Sequence, residues 1–441
     1  MISTRPLSIP RTFRRSPSID TTRYCSSKID FPGSFIRVCH FLPAYSMLNP
    51  LAGITFLFAL AAIVFRQPNS SQPSGPNVAC LAHRCMLLGT ASSSSLNCRG
   101  PTRIRGSFAQ PRMTQISENT CIIGVDVGGT KVAAGLVNSS GEISRQTRTP
   151  MVANDAAAGL AAVIAAIDSV RAAARLNPEF ERLVSGIGIC APGPLDPRTG
   201  VVVNPPNLPG WRDFPLAAEV SKVYGLPVRV DNDGNAAALA EALWGAGRGY
   251  RNVFCTTIGT GIGTGIVFDG HIYHGRTGAA AEGGHNTIDY RGPRCGCGKL
   301  GCIEVLASGP AIARRAGEKI AAGRASSISI LQRAAGPDTH ITSEMVARAF
   351  AEGDALAKEV LEETALFLAV WLGNIIDLLE PDVIIIGGGA GSMLRPFFAE
   401  IRELLPTWCV NSHCQEIPMV PAHYGADAGI AGGAALCREI P

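Results

Sequence analysis

The stretch CIIGVDVGGTKVAAGLV, residues 121–137, holds two short apolar runs separated by a turn with two adjacent glycines. The first run ends in an acid, Asp126, and the second resumes at Val132. Two strands joined by a tight glycine turn make a hairpin. A second stretch has the same plan. NVFCTTIG (252–259) leads through TGIG into TGIVFDGHIYHG, where Asp269-Gly270 is a strong hairpin turn of its own. Each half of the chain body therefore opens with strand, glycine turn, strand. That coarse duplication predicts two related α/β lobes with a cleft between them.

The segments between these hairpins fit that plan. Ala156 to Leu176 has helical composition, and GIGIC (186–190) reads as a buried strand closed by APGP. PVRVDND (227–233) is a strand running into GNAAALAEALWG, a helix started by Asp or Asn and stopped by Gly245. A long helix is predicted over Asp354 to Leu379, followed by PDVIIIGGGA, a β-branched strand ending in Gly387, Gly388 and Gly389.

Charge divides the 441 residues sharply. Residues 1–112 carry 13 Lys/Arg against Asp20 and Asp30, and they are rich in Ser, Pro and Arg. The remainder has 26 Lys/Arg against 33 Asp/Glu, a net of −7, which argues against a general nucleic-acid surface. One apolar run, Leu51 to Phe65, is shorter than the roughly 20 residues that span a bilayer. It reads as a signal-peptide core or short anchor, or as part of a leader that the working protein does not use, with Met113 as an alternative start. The expected organisation is a low-order extension over 1–118, a first lobe over 119–233 and a second over 234–441.

A turn without side chains lets backbone N–H groups approach phosphate oxygens closely. One such turn is weak evidence, since any hairpin can use glycine. Here three follow apolar strands: Gly128-Gly129-Thr130-Lys131, Gly259-Thr260-Gly261-Ile262-Gly263, and Gly387-Gly388-Gly389. None fits the Walker or dinucleotide pattern. A nucleotide held between two lobes fits better, with Asp126 positioned to hold Mg²⁺ through water.

RCGCGKLGC (294–302) completes the spacing His285-x9-Cys295-x-Cys297-x4-Cys302. One imidazole and three thiolates make a closed tetrahedral zinc set of the structural kind. The rival is a redox or disulfide cluster, which three cysteines would leave with one unpaired. The other body cysteines lack paired spacing, as expected of a reduced, intracellular protein. In VDNDGN, Asp231, Asn232 and Asp233 stand at a strand end that opens a helix. They read either as helix caps or as the carboxylate that phosphoryl transfer to a hydroxyl requires.

GVDVGGTK, VDNDGNAAALAE, GTGIGTGIV, AEGGH and CGCGKLGCIE together resemble the ROK family of sugar kinases and repressors, most closely its glucokinases. The resemblance runs from about Cys121 to the C-terminus. It implies an α/β, actin-like, hexokinase-type ATPase fold of two ribonuclease-H-like lobes, with a zinc-binding loop over 282–304. It also implies ATP-dependent phosphorylation of glucose by a cytoplasmic homodimer or homotetramer. Asp233 becomes the base, with Asn232, Glu282, His285 and Glu304 as sugar ligands. APGPLDPRTGVVVNPPNLPGW (191–211) looks like the loop over the sugar, with Gly193 and Asn207 as contacts and Trp211 as a packing anchor or a further contact. Lys131 is a phosphate neighbour, and His271, His274 and His413 read as loop residues. Kinases of N-acetylmannosamine, N-acetylglucosamine or fructose are the alternatives, as is polyphosphate as donor. A repressor is a weaker alternative, because 1–118 shows no helix-turn-helix pattern.

Overall fold

The computed structural model describes residues 25–31, 34–40, 120–175, 184–324, 329–334 and 340–438. Two compact units divide the chain between Arg105 and Gly106. In the first, within the expected low-order extension, β1 (Cys25–Phe31) and β2 (Ser34–His40) pair antiparallel, Phe31 opposite Ser34. The apolar run at 51–65 and the alternative start at 113 lie outside the described residues.

The second unit is built on two five-stranded sheets. Its strands are β3 (Cys121–Val127), β4 (Lys131–Val137), β5 (Ile143–Pro150) and β6 (Val184–Ala191). A small hairpin follows, β7 (Leu195–Asp196) with β8 (Val201–Val202), and then β9 (Val228–Asn232). The later strands are β10 (Asn252–Ile258), β11 (Ile262–Phe268), β12 (His271–Ile272), β13 (Val383–Gly387) and β14 (Met419–Pro421). The sheets run β5-β4-β3-β6-β9 and β12-β11-β10-β13-β14. In each, three antiparallel strands are followed by two parallel ones. The duplication expected from the two hairpins is thus the same topology twice. Asp269 and Gly270 take φ of 52° and 82°, the left-handed pair that an Asp-Gly hairpin turn needs.

Helices cover the sheets as the apolar pattern requires. Ala156–Arg175 lays Val163, Ala166, Ile167 and Val170 on the first sheet. Among the described residues it alone is long and apolar enough to cross a membrane, and it is a core helix here. Ala355–Leu379 covers the second sheet, with Trp371 edge-on to Phe254 at 5.7 Å. Its start is fixed by Asp354, whose carboxylate accepts from the N–H groups of Leu356 (2.8 Å) and Ala357 (3.0 Å).

Between the sheets lie two helices of small residues, Asp233–Leu243 and Ala428–Leu436. The second returns from the chain's end to rest on β3 and β6, so the first sheet draws cover from beyond residue 234. Glycine on both partners permits this. A Cβ on Gly188 of β6 would run into the Gly433 carbonyl, and one on Gly433 would lie 2.9 Å from the Val125 nitrogen. Sequence position alone does not reveal such a return.

Candidate active site

The glycine turns stand at matching ends of β3 and β10. Gly128 N–H donates to the Lys131 carbonyl, and Gly259 N–H to the Gly261 carbonyl, both at 2.9 Å. The third turn adjoins the second, since Thr257 and Gly387 are paired in register. Gly388 has φ of 83°, which no residue with a Cβ adopts easily, and its Cβ position is filled by the end of β10. Gly389 opens the short helix Gly389–Met393, and Gly263 lies across the hairpin from Thr257. Thr130, Lys131 and Thr260 are exposed. Gly129 backs onto the proline-rich loop, where a Cβ would come within 2.8 Å of the Asn207 carbonyl.

Carboxylates meet at the strand ends. Asp126 of β3 and Cys190 of β6 are register partners, and the fully buried thiol donates to Asp126 Oδ1 at 3.5 Å and to the Gly429 carbonyl at 3.2 Å. Asp233 follows β9 as the first residue of its helix, with Asn232 as the cap accepting from Gly234 N–H at 2.9 Å. Asn232 is thus the helix cap that the sequence allowed, and Asp233 beside it remains open to solvent. Crowding by surrounding protein pushes the Asp233 carboxyl above its usual range. The Gly234 N–H at 2.8 Å offsets part of this, and the charges of Asp126 and Glu282 add to the rise. Asp126 is also raised, mainly by burial. Complete burial, and after it the charges of Asp126 and Asp233, hold Cys190 firmly as the thiol. Gly193 stands beside Asn232, a Cβ there being 3.2 Å from the amide nitrogen.

Glu282, exposed, caps the one-turn segment Gly283–His285, which is stitched to β11 by Thr264. The Thr264 hydroxyl donates to the Ala281 carbonyl and accepts from Gly283 N–H at 2.9 Å. Glu304 ties the second glycine turn to the cysteine loop. Its Oε2 accepts from Ile262 N–H at 3.0 Å, while Oε1 lies 3.7 Å from Cys295 Sγ and 3.9 Å from His285 Nδ1.

The ligand atoms of His285, Cys295, Cys297 and Cys302 all lie within 4.8 Å of one another. His285 Nδ1 is 3.7 Å from Cys295 Sγ, and Cys297 Sγ is 3.7 Å from Cys302 Sγ. A tetrahedron with metal–sulfur bonds of about 2.3 Å has edges of about 3.8 Å. These spacings fit zinc and are too long for disulfides. Burial pushes Cys302 up to about 12 and raises Cys295, whereas Lys299 N–H chiefly lowers Cys297. A bound cation reverses that balance by stabilising thiolates.

The structure brings one unforeseen pair together. Asp231, 3% exposed, accepts at Oδ1 from Asn232 N–H (2.7 Å) and Asn235 Nδ2 (3.1 Å). Its Oδ2 meets His274 Nε2 at 2.5 Å. Neither residue belonged to the site read from sequence. The polar row Asp231–Asn232–Asp233 drew notice in the sequence, but nothing local marks a histidine 43 residues away. His413, read as a loop residue, meets Glu416 at 2.9 Å on the surface. Trp211 is fully buried, 4.9 Å from Phe214, so its packing role holds.

Two sheets of one strand order, joined through paired helices and each with a glycine turn after its first strand, define the actin-like ATPase fold of sugar kinases. The ROK family model matches residues 122–440, and the chain belongs to that family. It is 36% identical over 320 residues to a glucokinase of Halalkalibacterium halodurans, covering 72% of this chain and 94% of the relative. An N-acetylmannosamine kinase of Salmonella heidelberg is 30% identical, with 72% and 98% covered. The crystal structure of a ROK family glucokinase from Streptomyces griseus, in complex with glucose and AMPPNP, superposes with a TM-score of 0.61 at 34% identity, over 72% of this chain and 98% of that one.

Proposed function

We propose that this protein is an ATP-dependent hexose kinase that converts glucose to glucose 6-phosphate, with Asp233 as general base. The observation that carries the reading is that Asp233, just past the end of β9, lies close enough to Asp126 and Glu282 to feel the charge of both, with Asp126 itself near the end of the strand that leads into the first glycine turn. The backbone of Gly128, Gly129, Gly259, Gly261, Gly263 and Gly387–Gly389 binds the nucleotide, with Thr130, Lys131 and Thr260 at its edge. Asp126 would hold Mg²⁺ through water, and the ion supplies charge neutralisation on the phosphates when bound.

Asn232, Glu282, His285 and Glu304 orient the sugar hydroxyls, and Gly193 and Asn207 close over them from the proline-rich loop. The sugar 6-oxygen forms a bond to the γ-phosphorus as the bond from that phosphorus to the bridging oxygen breaks. The electron pair leaves with ADP, and the hydroxyl proton passes to Asp233. Because this transition state needs little proton removal until late, a solvent-open carboxylate suffices. Closing the cleft excludes water, which competes as acceptor.

His285, Cys295, Cys297 and Cys302 would hold structural zinc, which supplies rigidity to the loop that carries Glu282 and Glu304. With Nδ1 turned to Cys295, His285 keeps Nε2 for the sugar. The working body is a cytoplasmic homodimer or homotetramer over 119–441. The test is a coupled ADP-release assay on the full-length chain with glucose, fructose, mannose and both N-acetylhexosamines. Glucose preference supports the reading. Preference for N-acetylmannosamine keeps Asp233 as base but overturns the sugar assignment, and no turnover on any sugar overturns the kinase reading.

A further inference from the structure

A cavity of about 360 Å³ lies along β9, where Arg229, Val230 and Asp231 line it. Three arginines line it: Arg198 from the β7–β8 turn, Arg229 from β9 and Arg276 from the segment after β12. Asp231 is its only acidic lining residue, and both of that carboxylate's oxygens are engaged by His274, Asn232 and Asn235. Arg198 is forked onto Asp196 through Nε (3.1 Å) and a terminal nitrogen (3.2 Å). Arg229 and Arg276 have no acidic partner among the described residues.

A guanidinium cannot shed its charge, so the exposed arginines outnumber the cavity's one carboxylate and bias it positive. Guanidinium forks match phosphate oxygens in two-point fashion, better than a point charge does. The volume stands at the small end of ligand pockets, which span about 300–1,000 Å³. It suits a phosphate-bearing small molecule and not a dinucleotide. None of these arginines belongs to the proposed kinase machinery.

We propose that this cavity is a second, regulatory site for a small phosphate dianion, gripped between Arg229 on β9 and Arg276 on the opposing loop. The dianion would bridge elements of both sheets, since Arg229 belongs to the first and Arg276 follows the second's edge strand. Its grip is felt at the cleft through two covalently short routes. Arg229 is three residues from Asn232 on one strand, and the 274–278 segment leads directly into Glu282.

Calorimetric titration of the full-length protein decides the matter without relying on turnover. With the kinase cleft first filled by glucose and a non-hydrolysable ATP analogue, inorganic phosphate and glucose 6-phosphate are titrated separately into wild type, Arg229→Met, Arg276→Met and the double variant. Arg248→Met, an exposed arginine outside the cavity, serves as control, and melting midpoints check folding. Binding at least tenfold weaker in each single variant, lost in the double and unchanged in the control, is the expected result. Phosphate alone binding as tightly as the ester identifies a free-phosphate site, and tighter ester binding identifies a phosphometabolite site; either supports the proposal. No binding by wild type, or equal binding by the folded double variant, overturns it.

Discussion

The two glycine hairpins make an instructive pair. Both follow the first strand of a sheet of the same order, and both fold back through a 2.9 Å backbone hydrogen bond. Their surroundings differ. The β3–β4 turn faces Asn207 of the proline loop and stands beside Asp126, so it meets freely exposed chain. The β10–β11 turn is bolted down by Glu304, which also reaches the His–Cys cluster. Duplication supplies two equivalent strand ends, and the insertion after β12 makes them unequal: in the proposed mechanism one serves phosphate alone, and the other phosphate and sugar together.

The largest effect tests the cleft shared by both halves. Asp233→Asn is expected to lower kcat by about 10²- to 10⁴-fold, the usual contribution of a positioned base, while equilibrium dialysis still detects bound glucose. Near-normal turnover removes Asp233 from its role. The raised carboxyl gives a second readout. A folded-state value above the ordinary 3.8 makes the ionised form unfavourable in the fold, so the wild type loses stability as pH rises through that value. The Asn variant should therefore melt higher than wild type near pH 7, with the gap closing below pH ~3.8. Activity of the wild type falls in the same window as Asp233 takes up its proton.

Next comes the element that only the second half possesses. Cys302→Ser removes a buried member of the tetrahedral set. The purified protein should lose zinc by elemental analysis, and the sugar KM should rise by about tenfold or more through loosening of the Glu282 and Glu304 loop. Zinc at full occupancy, or an unchanged KM in zinc-free protein, breaks the link between the cluster and sugar binding.

A matched glycine pair then separates the two duties of the β10–β11 turn. A Cβ on Gly261 comes within 2.6 Å of Glu304 Oε2, whereas Gly259 has nothing within 4 Å. Gly261→Ala should displace Glu304 and raise the sugar KM several-fold. Gly259→Ala should leave the sugar KM alone and raise that for ATP, because only phosphate needs the space. Equal effects of both variants on both substrates would dissolve the distinction.

Much of this was legible in residues 121–137 and 252–266, because hairpin turns and short buried strands are specified locally. The helix from Asp233 and the long one from Ala355 were legible too, through Asn232 and Asp354 as caps. The cysteine spacing carried the cluster, since four ligands within eighteen positions leave few other geometries. What stayed hidden depends on contacts between distant segments. The return of Ala428–Leu436 to the first sheet rests on glycine meeting glycine across 245 residues, Gly188 with Gly433. The family resemblance singled out Glu304, but its bond to Ile262 could not be read from the sequence. The Asp231–His274 contact left no sequence trace at all.

That contact gives the smallest expected effect and the finest test of how the halves cooperate. Asp231 reaches across from β9 to a histidine beyond β12, while its other oxygen holds the N–H of Asn232. It touches no substrate in the proposed mechanism and acts through its neighbour, which makes it a positioning residue. Asp231→Asn keeps an oxygen for the Asn232 N–H but loses the charge that engages His274. Sugar KM should rise a few-fold with kcat nearly intact. His274→Gln, which retains a donor near the ring position, should restore most of what His274→Ala loses. A merely structural pair would instead lower the melting midpoint and leave KM alone, because the folded fraction would bind sugar normally. A KM change without a midpoint change ties the aim of Asn232 to the second half of the molecule.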